Sequence, residues 1–162
     1  MIRLIEPQRV IDLAFTNAVT NELSLINDGV IEAAQLRWIK PVLTDELWDD
    51  LESEYPNYSA NNQILVDKLE LPLAFFVKAE LVPDMSINTT AAGLQVLTTE
   101  YSSPATDRQR GEIQDKATEM GRSLIGEVVR WLEKDANIST YPLYHIGKNV
   151  INNVSRRGGI VL

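Results

Sequence analysis

Residues 106–132 read TDRQRGEIQDKATEMGRSLIGEVVRWL, and this stretch decides the fold class. Thr106-Asp107-Arg108-Gln109 has the spacing of a capping box, in which a threonine hydroxyl and a glutamine amide each satisfy a free backbone N–H at a helix start. Ile113, Ala117, Met120, Leu124, Val128 and Trp131 (or Leu132) then recur at steps of three and four, the period of one helix face. Six basic and six acidic side chains are interleaved across residues 105–134. Gly111, Gly121 and Gly126 stand in the interior, each at a cost of about 1 kcal/mol relative to alanine. Gly121 and Gly126 are expected to allow a close helix crossing. Asp135-Ala136-Asn137 ends the helix.

Working outward, residues 61–81 predict a second long helix, with Ile64, Leu65, Leu69, Leu73, Phe76 and Val77 apolar. Its run Leu71–Val77 is nearly all apolar and places it in the centre of the core. Pro72 is expected to kink or split it, and Pro83-Asp84 breaks it. Between the two long helices, Met85–Thr89 and Leu94–Thr98 alternate around Thr90-Ala91-Ala92-Gly93, which reads as a β-hairpin over about residues 85–99. Upstream, Thr44 caps a helix that opens with Asp45 and Glu46, acids suited to the positive end of the helix dipole. Leu43 and Trp48 have the spacing of a hydrophobic staple, and Pro56 ends the helix. Asn27 or Asp28 caps another helix reaching Ile39, stopped by Lys40-Pro41. Pro7 suits the first position of a short helix bearing Val10, Ile11, Ala14 and Phe15. The sum is a mainly α fold, a bundle of four to five helices with an inserted β-hairpin and an extended C-terminal arm. The expected division is a helical domain over residues 1–140 and the arm over 141–162.

A chain of 162 residues with no cysteine has neither disulfides nor thiolate chemistry. No apolar run approaches the length of a membrane span. The opening MIRLIEPQRV has no signal-peptide h-region, so cytoplasmic synthesis is expected. A net charge of −8 disfavours sequence-reading DNA binding, which needs a basic footprint, while an acidic wall lets DNA slide past. GxSxG, P-loop and GxGxxG motifs are absent. His145 is the only histidine, which excludes a His-pair metal site, and it reads as a packed side chain. The acids Asp45, Glu46, Asp49, Asp50, Glu52 and Glu54 lack the spacing of a calcium loop. They read as a solvated helix face, or as a surface facing a channel or a basic partner. Catalytic, cofactor and metal residues are expected to be none.

The last twenty-two residues, YPLYHIGKNVINNVSRRGGIVL, are the exception to the acidic balance. They hold Lys148, Arg156 and Arg157 and no acid, a charge of +3. Residues 1–140 hold twelve basic against twenty-three acidic side chains, a charge of −11. The tail is too apolar to be left in water. Tyr141, Tyr144, Lys148, Arg156, Arg157, Ile160, Val161 and Leu162 are the expected contacts with a neighbouring chain.

Ile31-Glu32-Ala33-Ala34-Gln35-Leu36-Arg37-Trp38-Ile39-Lys40-Pro41-Val42-Leu43, followed by Asp45-Glu46-Leu47-Trp48-Asp49-Asp50-Leu51, resembles the helix, bend and helix of head–tail connector (adaptor) proteins of tailed bacteriophages, in particular those of crAss-like phages. Thr44 stands where that pattern usually has glycine. The apolar helix, hairpin, long charged helix and arm follow in a similar order. The resemblance implies a structural virion protein, located in the neck and assembled in the host cytoplasm. It implies a ring, commonly of twelve copies, contacting the portal protein above and tail or further neck proteins below. Genomic DNA would pass through without sequence-specific binding, with no membrane involved. Another neck or tail-completion component is the alternative within the virion. A small cytosolic adaptor or an enzyme is the alternative outside it.

Overall fold

The computed structural model describes residues 2–15, 26–83, 87–90, 93–96 and 106–145. The chain is mainly helical. In order come α1 (Pro7–Ala14), α2 (Asp28–Ala34) continuing directly into a π-helical turn (Gln35–Ile39), α3 (Asp45–Glu54), α4 (Ala60–Leu81), the strands β1 (Ile87–Thr90) and β2 (Gly93–Val96), α5 (Asp107–Leu132), and the single turn α6 (Asp135–Ile138). The two strands run antiparallel, with Ile87 opposite Val96 and Thr90 opposite Gly93.

Helix starts follow local chemistry. Pro7 occupies the first turn of α1. The side chains of Asn27, Thr44, Ser59 and Thr106 accept backbone N–H groups at the starts of α2, α3, α4 and α5. At α5 the capping box is complete in both directions. Leu43 and Trp48 are both buried, as their staple spacing requires.

Helix α4 is the axis of the bundle, with α5, α1 and α2 packed on it. Leu65, Leu69, Leu73, Phe76 and Val77 are almost completely buried. Pro72 does not split it: α4 runs unbroken from Ala60 to Leu81 with Pro72 inside and buried. The missing N–H leaves the Lys68 carbonyl without its helical donor, a cost of about 3 kcal/mol that burial on several sides offsets. Lys78 and Glu80, two residues apart and so about 200° apart around the helix, have different neighbours. The Lys78 ammonium donates to the Ala14 carbonyl of α1 at 2.7 Å. Glu80 accepts from the Trp38 indole and the Arg37 guanidinium of the π turn, each at 2.9 Å. Helix α1 and the π turn therefore contact α4 through different side chains.

The buried face of α5 is rotated from the one its periodicity suggests. Ala117, Gly121, Ile125, Val128, Val129 and Leu132 are buried, while Ile113 and Met120 are 45% and 42% exposed. The cause is Gly121. A Cβ there would lie 2.6 Å from Cε1 of Phe76, so only glycine lets α5 approach α4 this closely. That contact turns Ile113 and Met120 outward. Gly126 and Gly111 have nothing within 4 Å, so neither supports a crossing.

The π turn widens α2 beside Gln35, which is 1% exposed. Its side-chain oxygen accepts the Leu4 N–H at 2.7 Å, and its amide donates to the Ile2 carbonyl at 3.0 Å. The segment Ile2–Ile5 is thereby pinned along the core, with Ile2, Leu4 and Ile5 buried.

Candidate partner-binding surfaces

Helix α3 carries the six acids, and the structure separates them into two groups. Asp45, Glu46, Asp49 and Glu52 are exposed. Asp50 and Glu54 are half-buried and structural: the buried Asn62 amide donates to both, at 2.7 and 2.9 Å. The Ser59 N–H also donates to Glu54 at 2.8 Å. That N–H, and then Asn62, hold the Glu54 carboxyl below its usual range. Asp50 and Glu54 thus tie α3 to the start of α4 and are withdrawn from the expected partner-facing surface.

Beside the N-terminus of α3 lies an open cleft of about 550 Å³, lined by Leu36, Lys40, Pro41, Leu43, Thr44, Asp45 and Glu46. Leu36 is 47% exposed. The Lys40 ammonium lies over the Trp48 ring, 5.8 Å from its centroid. The bend Lys40–Leu43 that forms the cleft is the bend on which the connector resemblance rests.

The C-terminal chain meets the body at the same end of α3. Thr44 Oγ1 donates to the Leu143 carbonyl at 2.5 Å. Tyr141 and Tyr144 are each 3% exposed. The Tyr141 ring packs edge-on against Trp131 at 5.5 Å, and its hydroxyl donates to the Asn61 carbonyl at 2.6 Å. Burial raises its pKa. Tyr141 and Tyr144, expected to touch a neighbouring chain, instead complete their own core. Burying two tyrosines where α3, α4 and α5 meet is worth more than holding them out for a partner. The body accordingly extends through Tyr144 and not only to residue 140. His145, read from sequence as a packed side chain, is exposed. Lys148, Arg156, Arg157, Ile160, Val161 and Leu162 lie outside the described residues.

A second surface was not legible in the sequence. A groove of about 680 Å³ runs between α1, α4 and α5, walled by Leu13, Phe15, Phe75, Ile113, Ala117 and Met120, with Asp12, Lys78 and Lys116 also lining it. The Lys78 ammonium sits 4.9 Å from the Phe15 ring centroid. Burial first, and then Lys116, lower its pKa. Periodicity assigned Ile113 and Met120 to the core, and only the Gly121 contact puts them here.

Among the described residues, no group of three or more His, Cys, Asp or Glu is arranged to hold a metal ion. No described helix is long and apolar enough to cross a membrane.

No curated protein and no solved structure matches the chain. A family model does, over residues 39–153, more than two thirds of the sequence. The match begins at the last residue of the π turn. It takes in the bend, α3 to α6 and the Tyr141–Tyr144 segment, and continues into the basic C-terminal stretch. The chain belongs to DUF6712, a family of unknown function.

Proposed function

We propose that the chain is a structural virion protein whose copies form a ring joining the portal and head to the tail around the DNA channel. In this reading residues 85–99 form an inserted hairpin and residues 146–162 an extended arm that docks on the neighbouring copy. The portal protein and a tail or neck protein are its partners above and below, and DNA passes without sequence-specific contact. The observation that carries the reading is the packing of the C-terminal segment on the body as far as Tyr144. Tyr141, Leu143 and Tyr144 anchor the chain against α3 and α4. In sequence a basic, acid-free stretch follows His145, and Leu143 is bonded to Thr44, next to the exposed acids Asp45 and Glu46. Seventeen further residues reach roughly 55 Å when extended, far enough to cross onto an adjacent copy. The helix–bend–helix over residues 28–54, with its bend at Lys40–Leu43, supports the connector resemblance.

The test is removal of residues 146–162, a cut placed after the buried tyrosines. The truncated chain keeps its helical circular dichroism, and native mass spectrometry shows it monomeric where the full chain forms a ring. Assembly of the full chain weakens as salt rises, because the arm's cations meet exposed acids. A full chain that stays monomeric in the presence of its portal protein refutes the reading.

A further inference from the structure

The two surfaces described above are distinct and differ in net charge: Lys78 and Lys116 against Asp12 line the groove, Asp45 and Glu46 against Lys40 the cleft. The groove is on the side of Lys78 and α1, where Ile113 and Met120 stand exposed beside Lys116. The cleft follows the π turn, which Glu80 holds through Arg37 and Trp38. There Leu36 and Pro41 are exposed beside Asp45 and Glu46. Local contacts hold charges at both surfaces: Asp12 accepts from Gln8 at 3.0 Å, Lys40 lies over Trp48, and the half-buried Lys78 donates to the Ala14 carbonyl. Each surface thus pairs exposed apolar side chains with a small net charge, positive at the groove and negative at the cleft, the complementarity of an interface with a defined partner.

We propose that the acidic cleft of one copy seats on the lysine-rimmed groove of the next, so that the occupant of each surface is a second copy of this chain. The inference rests on the ring reading and adds a contact that does not involve the arm. Leu36 and Pro41 meet Ile113 and Met120, while Asp45 and Glu46 meet the exposed Lys116. Two different patches make a head-to-tail contact, which closes into a ring when its rotation allows. Pairing each patch with itself is disfavoured. Groove on groove opposes lysines, and cleft on cleft opposes carboxylates.

The experiment is reciprocal charge exchange in the full chain, using Lys116→Glu, Glu46→Lys and the double variant. Both positions are exposed, and unchanged circular dichroism verifies folding. Each single variant raises the concentration for half-assembly roughly thirtyfold or more, because a like-charge pair replaces an attractive one. The double variant restores it to within about threefold of the parent, a coupling that mere surface damage does not produce. Single variants that assemble like the parent, or a double variant no better than the singles, overturn this contact and leave the ring reading standing. A parent chain that never assembles overturns both. Open filaments that obey the same charge exchange support the contact and overturn the closed ring.

Discussion

Replacing Gly121 by alanine tests whether the α4–α5 crossing is set as described. Two effects oppose each other. Alanine is the better helix former by about 1 kcal/mol. Against this, the new Cβ would stand 2.6, 2.8 and 2.9 Å from three atoms of the Phe76 ring. Carbon atoms settle at about 3.5–4.0 Å, so ring or helix must move by about 1 Å. Phe76 is 1% exposed and stacks on Trp38 at 4.7 Å with the ring planes 1° apart. Trp38 is held in turn by Glu80 at 2.9 Å and faced by Arg122 at 5.4 Å. With no free end to yield, the steric cost belongs at the upper part of the 1–3 kcal/mol usual for added core volume, about 3 kcal/mol. The net expectation is a loss of about 1–2 kcal/mol, a fall in melting temperature of about 2–8 °C for a chain of this size. Gly126→Ala is the control. It sits in the same helix with nothing within 4 Å, and it should gain up to about 1 kcal/mol. Urea unfolding followed by circular dichroism measures both. Two substitutions of the same sign, or a Gly121→Ala chain as stable as the parent, refute the account of the crossing.

Three further outcomes follow from single side chains. Gln35→Leu strands the buried Leu4 N–H and Ile2 carbonyl, and should cost about 2–4 kcal/mol in chemical denaturation. Among the described residues the Tyr58 hydroxyl is buried without a hydrogen-bond partner, so Tyr58→Phe should be as stable as the parent or more stable by up to about 2 kcal/mol. Burial, Tyr55 and Glu54 raise the Tyr58 pKa from 10.0 to about 12. Its neutral form is therefore favoured in the folded state, and stability present below pH 10 is lost as pH rises toward 12. The phenylalanine variant should lack that part of the alkaline slope in a pH series of melting temperatures. Glu54 has the opposite sign. Its depressed pKa stabilises the fold above the ordinary value of 4.5, and that contribution disappears as pH falls below it. Glu54→Gln should flatten the acid limb of the same series.

The helices were legible because their starts are written in single residues: Pro7, Asn27, Thr44 and Thr106 act within one turn of the chain. Periodicity also identified α4 as central. It failed on α5 because a glycine has no hydropathy to report. Gly121 decides which face turns inward through Phe76, a residue 45 positions away in sequence. Pro72 left a kink and a break both open in the sequence, since its cost is local and its compensation is spread over the packing around α4, and the break does not occur. The acids and bases expected to face a partner form a charge pattern in the sequence and not a geometry. Asp50 and Glu54 resemble their neighbours in sequence, yet Asn62 draws them into the structure. Tyr141 and Tyr144 belong to a basic tail by position and to the core by contact.

The three tryptophans occupy three different joints of this molecule. Trp38 lies between Phe76 and the guanidinium groups of Arg37 and Arg122, where the π turn, α4 and α5 meet. Trp48 is buried in α3 beneath Lys40, behind the acidic cleft. Trp131 lies between Lys68 and Tyr141, where the C-terminal segment packs on α5. Each indole is therefore an optical probe of one joint, and chains retaining a single tryptophan report those joints one at a time. Movement of the tail at its anchor changes the emission of Trp131, occupation of the cleft changes that of Trp48, and Trp38 stays constant as the internal reference.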